Sequence, residues 1–89
     1  MITKEIEIQN KLGLHARAAA KLVHMAARFK SDIKVRKGNE EVDAKSILGI
    51  LLLAAGPGTR ISVTASGEDE GEAVSSIEQL IDSRFDEAE

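Results

Sequence analysis

Strict alternation of apolar and polar residues in short segments constrains this chain more than any other feature. It is clearest in Ile61-Ser62-Val63-Thr64-Ala65-Ser66 and recurs in Ile33-Lys34-Val35-Arg36. Near the start, Ile2, Ile6 and Ile8 alternate with Thr3, Glu5 and Glu7, and Lys4 breaks the run. Successive side chains of a strand point to opposite faces, so each segment has one apolar and one polar side. A sheet made of such strands buries one face and leaves the other to water. Gly38-Asn39 is a hairpin signal, and Glu40-Glu41-Val42-Asp43 beyond it is a short, very polar strand suited to a sheet edge.

Helical spacings lie between the strands. Ala19, Leu22, Val23, Ala26 and Phe29 predict a helix from Ala16 to about Phe29. Ser46 precedes an apolar run and reads as an N-cap. Asp69 and Glu72 fit an N-cap and its capping-box partner, ahead of a core stripe of Val74, Ile77, Leu80, Ile81 and Phe85. Gly56-Pro57-Gly58-Thr59 looks like a phosphate loop but is too short and lacks the lysine, so it reads as a helix-terminating turn. The order is βαββαβα, an α+β chain whose helices cover one sheet face. Eighty-nine residues imply a single domain, 1–89.

Composition removes several functional classes. There is no cysteine, hence no disulfide framework or thiolate metal site. His15 and His24 share no helical face with carboxylates, so no metal and no cofactor is expected. Charge begins too early for a secretory signal, and Ile47 to Ala55 is too short to span a bilayer. A soluble, cytoplasmic monomer is the expectation. Ten of the twelve basic residues lie at or before Lys45, and nine of the fifteen acidic ones lie from Glu68 onward. That asymmetry suits docking to an acidic protein surface. With no Trp or Tyr and two Phe, the stacking platform of a single-strand nucleic-acid binder is missing.

Chemistry concentrates at His15, in Lys11-Leu12-Gly13-Leu14-His15-Ala16-Arg17-Ala18-Ala19-Ala20. There a glycine-containing loop hands over to an alanine-rich helix. The first-turn N–H groups, from Ala16, Arg17 and Ala18, have no intrahelical partners, and the macrodipole adds positive charge. Arg17 brings a fork of donors suited to phosphate oxygens. The neutral imidazole is the nucleophilic form, so the site is suited both to take a phosphoryl group and to hold it. Arg17, Lys21, His24 and Arg28 form a basic stripe on the same helix.

Ser46 opens a helix that is apolar on almost every side. Ile50 and Leu53 can face the sheet, whereas Ile47, Leu48 and Leu51 cannot all do so and should form an exposed patch of the kind that marks partner surfaces.

Gly13-Leu14-His15-Ala16-Arg17 with its alanine-rich helix resembles the active-site segment of the histidine-containing phosphocarrier family HPr, which serves the phosphoenolpyruvate-dependent sugar phosphotransferase system. The likeness spans essentially the whole chain. It implies an open-faced β-sandwich, a four-stranded antiparallel sheet with three helices on one side. It also implies that His15 takes a phosphoryl group on Nδ1 from phosphorylated enzyme I and passes it to enzyme IIA-type acceptors. Such a protein is a carrier and not an enzyme. Lys45-Ser46-Ile47-Leu48-Gly49 is similar to the regulatory serine region of members controlled by HPr kinase/phosphorylase, which implies phosphorylation at Ser46. Ala20, Lys21, His24, Ile47, Leu48, Gly49 and Leu51 would form the partner surface.

Two positions depart from the family pattern. Ala18 stands where proline is usual, and Leu12 where many members carry a small polar residue. Asn10-Lys11-Leu12-Gly13-Leu14-His15-Ala16-Arg17 and Phe85-Asp86-Glu87 also resemble NPr, the sister branch of the nitrogen-related phosphotransferase chain. A non-catalytic regulatory module that binds proteins through the apolar helix is a further alternative, opposed by the presence of His15. An RNA-binding or small-ligand βα sandwich is disfavoured by charge and composition.

Overall fold

The alternating segments form one four-stranded antiparallel sheet in the computed structural model, which describes residues 1–86. Strand β1 spans Ile2–Glu7, β2 Asp32–Lys37, β3 Glu40–Asp43 and β4 Arg60–Ser66, in the spatial order β1-β4-β2-β3. The register sets Ile6 opposite Ile61, and Val63 opposite Val35, which gathers the apolar side chains on one face. Glu5, Ser62, Arg36 and Glu41 line up across the other face. Helices α1 (Ala16–Ala26), α2 (Ile47–Leu52) and α3 (Glu70–Asp82) cover the apolar face. Leu22, Ile50, Ile77 and Ile81 are fully buried there with Ile33 and Val63. Each such side chain contributes roughly 1.5–3 kcal/mol by leaving water. Among the described residues no helix is long and apolar enough to cross a membrane.

Lys4 interrupts the alternation because its ammonium reaches α3, 3.4 Å from the Glu78 carboxylate. Phe85 completes the α3 stripe as expected. It is fully buried beyond the helix, in a short 3-10 turn, Arg84–Asp86, and its carbonyl accepts a hydrogen bond from the Lys21 ammonium. Glu87 and Glu89, both counted in the acidic half and the first also in the NPr likeness, lie outside the described residues.

Three local expectations need correction. Helix α1 ends at Ala26, not Phe29. Beyond it the amides of Arg28 and Phe29 bond three residues back, to Met25 and Ala26, in tight turns that keep Phe29 half-buried on the core side. The turn Gly56-Pro57-Gly58-Thr59 does not end α2, because the chain has already left the helix at Ala54, with φ 51°. It closes instead against β1, with Gly58 donating to the Ile8 carbonyl at 2.7 Å and Ile8 donating to that of Thr59 at 2.9 Å.

Asp69 is the N-cap residue of α3 but its side chain makes no capping bond, and Glu72 is no capping-box partner. The carboxylate turns to a neighbouring loop. It accepts from the Ser31 hydroxyl at 2.5 Å and amide at 3.0 Å, and from the Lys30 amide at 2.9 Å. Glu70 does the reaching-back, accepting from the Gly67 amide at 3.1 Å. The Ser31 hydroxyl and the Lys30 amide hold the Asp69 carboxyl down at about 2, below its ordinary 3.8. A group depressed in the folded state contributes stability above its unfolded value and loses it as pH falls through the folded one. The stability difference between the parent chain and Asp69→Asn, measured by urea unfolding, should therefore be constant above about pH 5 and shrink towards pH 2. A difference that stays level across that interval would remove Asp69 from the acid response.

Candidate functional site

The loop between β1 and α1 is built to present one side chain. Asn10, fully buried, donates through Nδ2 to the Gly13 carbonyl at 2.7 Å, and its own carbonyl accepts from the Gly13 amide at 3.1 Å. Gly13 adopts φ 66°, a conformation that L-residues avoid. A Cβ there would meet the Ala55 carbonyl oxygen at 2.6 Å. That oxygen accepts the Leu14 amide at 2.8 Å, so the loop is stitched to the chain just after α2.

His15 follows, half-buried and at the N-cap position of α1 with extended backbone. Its carbonyl accepts the first helical bond, from Ala19 at 2.8 Å, and its Nδ1 accepts the Arg17 amide at 3.3 Å. Nδ1 thus carries its lone pair towards the positive end of the helix. No acidic residue sits in the first turn of α1, whereas α3 has Glu70 and Glu72 in its own. Within its own first turn α3 thus carries carboxylates that offset the positive end of its dipole, and α1 carries none. Ala16 and Arg17 are exposed at this end, and Ala18 is buried, so the residue standing in place of proline packs into the core.

The remaining predicted residues divide between fold and surface. Ala20 and Lys21 are half-buried, and the Lys21 ammonium is committed to the Phe85 carbonyl. His24 is exposed in the last turn of α1, and Arg28 lies past its end with Nη1 3.8 Å from the Met25 sulfur. On α2, Ile47, Leu48 and Leu51 are exposed while Ile50 and Leu53 are buried, as the spacing requires. Leu52, 67 % exposed, joins the patch and was missed. The helical spacing that selects Leu48 selects it too. Gly49 faces inward: a Cβ there would lie 3.1 Å from that of Val42, so its smallness lets α2 sit close to β3. Asn10 was also passed over as a site residue, since a polar residue in a loop gives no sign of its own burial.

Ser46 is half-buried and caps α2, its Oγ accepting the Gly49 amide at 3.1 Å. Ser46→Ala should lower the free energy of unfolding by about 1 kcal/mol, the usual cost of an N-cap hydroxyl. Urea unfolding with an unchanged m-value would register it, and an unaltered midpoint would show the cap to be idle. No group of three His, Cys, Asp or Glu among the described residues could hold a metal ion.

Comparison with known proteins agrees with this geometry. Residues 2–83 match the family model described as the PTS HPr component phosphorylation site. Phosphocarrier protein HPr of Cupriavidus necator is 46% identical over 89 residues, covering 100% of both chains. Phosphocarrier protein NPr of Shewanella violacea is 41% identical over 87 residues, covering 98% of this chain and 96% of that one. The crystal structure of HPr-C-His from Thermoanaerobacter tengcongensis superposes with a TM-score of 0.97 at 46% identity and full coverage of both chains. The open sheet under three helices, the histidine at the head of α1 and these likenesses agree: the chain belongs to the HPr family of the phosphotransferase system, whose members are phosphocarriers and not enzymes.

Proposed function

We propose that this chain carries a phosphoryl group on His15 Nδ1, accepting it from phosphorylated enzyme I and delivering it to enzyme IIA-type acceptors in sugar uptake, as a cytoplasmic monomer. The observation that supports the reading is the Nδ1 lone pair at the N-terminus of α1, held by the Arg17 amide. In transfer, the Nδ1 lone pair forms the new bond to phosphorus as the donor's bond to phosphorus breaks. The Arg17 amide, released from Nδ1, then donates to a phosphoryl oxygen together with the amides of Ala16 and Ala18. The exposed Arg17 guanidinium adds charge on the same side. Catalysis of this kind is positioning plus stabilisation of charge already present on the phosphoryl oxygens.

The test supplies labelled phosphoenolpyruvate and enzyme I. One acid-labile, base-stable phosphoryl group should appear per chain, and nitrogen NMR should place it on Nδ1. A chain that takes no label, or takes it elsewhere, would sink the reading.

Ser46 is proposed as the regulatory site, phosphorylated by HPr kinase/phosphorylase. A phosphate there adds about two negative charges at the head of α2 and beside the Ile47, Leu48, Leu51 patch, so acidic partner groups are repelled with little change in fold. Incubation with that kinase and ATP should give a base-labile phosphate, and its absence would remove the regulatory claim. The likeness to NPr supports a second reading, a carrier of the nitrogen-related chain. Competing the two branches' phosphorylated donors for the chain separates the readings, since the faster donor names the branch.

A further inference from the structure

Lys37 stands where the pattern of β2 asks for an apolar side chain. Ile33, Val35 and Lys37 share the helix-covered face of the strand, and the first two are fully buried. Lys37 is half-buried, and its ammonium donates to the Leu53 carbonyl at 3.0 Å and the Ala54 carbonyl at 3.4 Å. The Leu53 carbonyl belongs to the C-cap of α2 and that of Ala54 to the residue just beyond it, and α2 has no basic residue in its own last turn. The partial negative charge there is met by a cation reaching across from the sheet.

The segment so held is the one on which the His15 loop rests. Ala54 takes φ 51°, and the next carbonyl, that of Ala55, accepts the Leu14 amide and abuts Gly13. Leu14 is bonded directly to His15. One end of the short run 53–55 is therefore tied to β2 through Lys37, and the other carries the backbone that aims the imidazole. Phosphoryl transfer is sensitive to displacements well under the length of a hydrogen bond.

We propose that Lys37 is a positioning residue for phosphoryl transfer at His15, acting through the Leu53–Ala55 backbone without touching the phosphoryl group. The proposal rests on the reading of His15 as the acceptor.

Lys37→Met removes the ammonium and keeps most of the stem, Lys37→Gln keeps polarity without charge, and Lys37→Arg keeps a cationic donor. Each is phosphorylated by enzyme I with phosphoenolpyruvate, and kcat and KM for the carrier are measured with the backbone amide spectrum. In Lys37→Met, kcat should fall about tenfold with little change in KM, and the Leu14 and His15 amide signals should move. Lys37→Arg should restore most of the rate. Unchanged kcat and amide signals in a folded Lys37→Met overturn the proposal, as does a rise in KM alone. Equal losses in the Arg and Met variants also overturn it, since packing alone would give that result. If Lys37→Met does not fold, Lys37→Gln is held to the same expectations. A parent chain that takes no label sinks the acceptor reading instead, so the two failures are distinguishable.

Discussion

His15→Ala should take no label from phosphorylated enzyme I, while His24→Ala should take as much as the parent chain. The two imidazoles differ in the end of the helix they occupy. His15 sits at the N-cap of α1 with Nδ1 against the Arg17 amide, where aligned backbone dipoles favour an anion. His24 lies in the last turn of the same helix, roughly 13 Å along the axis, where the same dipoles disfavour one. His24 is the one histidine left in the sequence and lies at the unfavourable end of the helix, so the expected loss is complete. The fold should survive, because replacing an N-cap side chain by alanine costs on the order of 1 kcal/mol. Label counted per chain, with the circular-dichroism melt of each variant, checks both parts. Label surviving in His15→Ala would falsify the assignment.

Gly13→Ala should destabilise the chain by on the order of 3 kcal/mol and impair phosphorylation at the same time. The left-handed conformation costs an L-residue about 1–2 kcal/mol. The added methyl also meets the Ala55 carbonyl oxygen at 2.6 Å and the Gly56 Cα at 2.8 Å, main-chain atoms that cannot rotate away. Overpacking of this kind costs about 1–3 kcal/mol more. Against a total stability of roughly 5–13 kcal/mol for a chain of this length, that is a large fraction. Relief by sliding the loop outward would stretch the bond between the Leu14 amide and the Ala55 carbonyl, and with it the aim of His15. Urea unfolding gives the first quantity and the initial rate of labelling the second. A variant as stable and as fast as the parent would show the contact to be compliant.

What could be read from the chain itself follows from the range of the forces involved. Alternation in Ile61 to Ser66 and Ile33 to Arg36 reports burial on one side, and every strand so read is present in the sheet. Ser46 as a cap and the exposed face of α2 were legible for the same reason, since both depend on neighbours within a turn. Errors arose where a distant partner decides. Asp69 has the right residue type for a cap, yet two amides and a hydroxyl from residues 30–31 compete for it and win. Phe29 keeps helical spacing after the helix has ended, because a tightened turn still carries it to the core. At the site, His15 and Arg17 stand out as neighbours in the chain. Asn10 and Lys37 do not, because their importance comes from a buried turn and from carbonyls far along the sequence.

The strand order β1-β4-β2-β3 carries a consequence for how the chain is made. Of the four described strands, the first to be synthesised pairs with the last, Ile6 waiting for Ile61, and the Leu14 amide waits for Ala55. Closing such long loops costs entropy before contacts repay it, so these pairings form late in folding. A nascent or truncated chain ending before β4 already contains His15 and Arg17 but lacks the scaffold that aims them. On the proposed reading of His15, competence for phosphoryl transfer therefore waits on the pairing of β1 with β4.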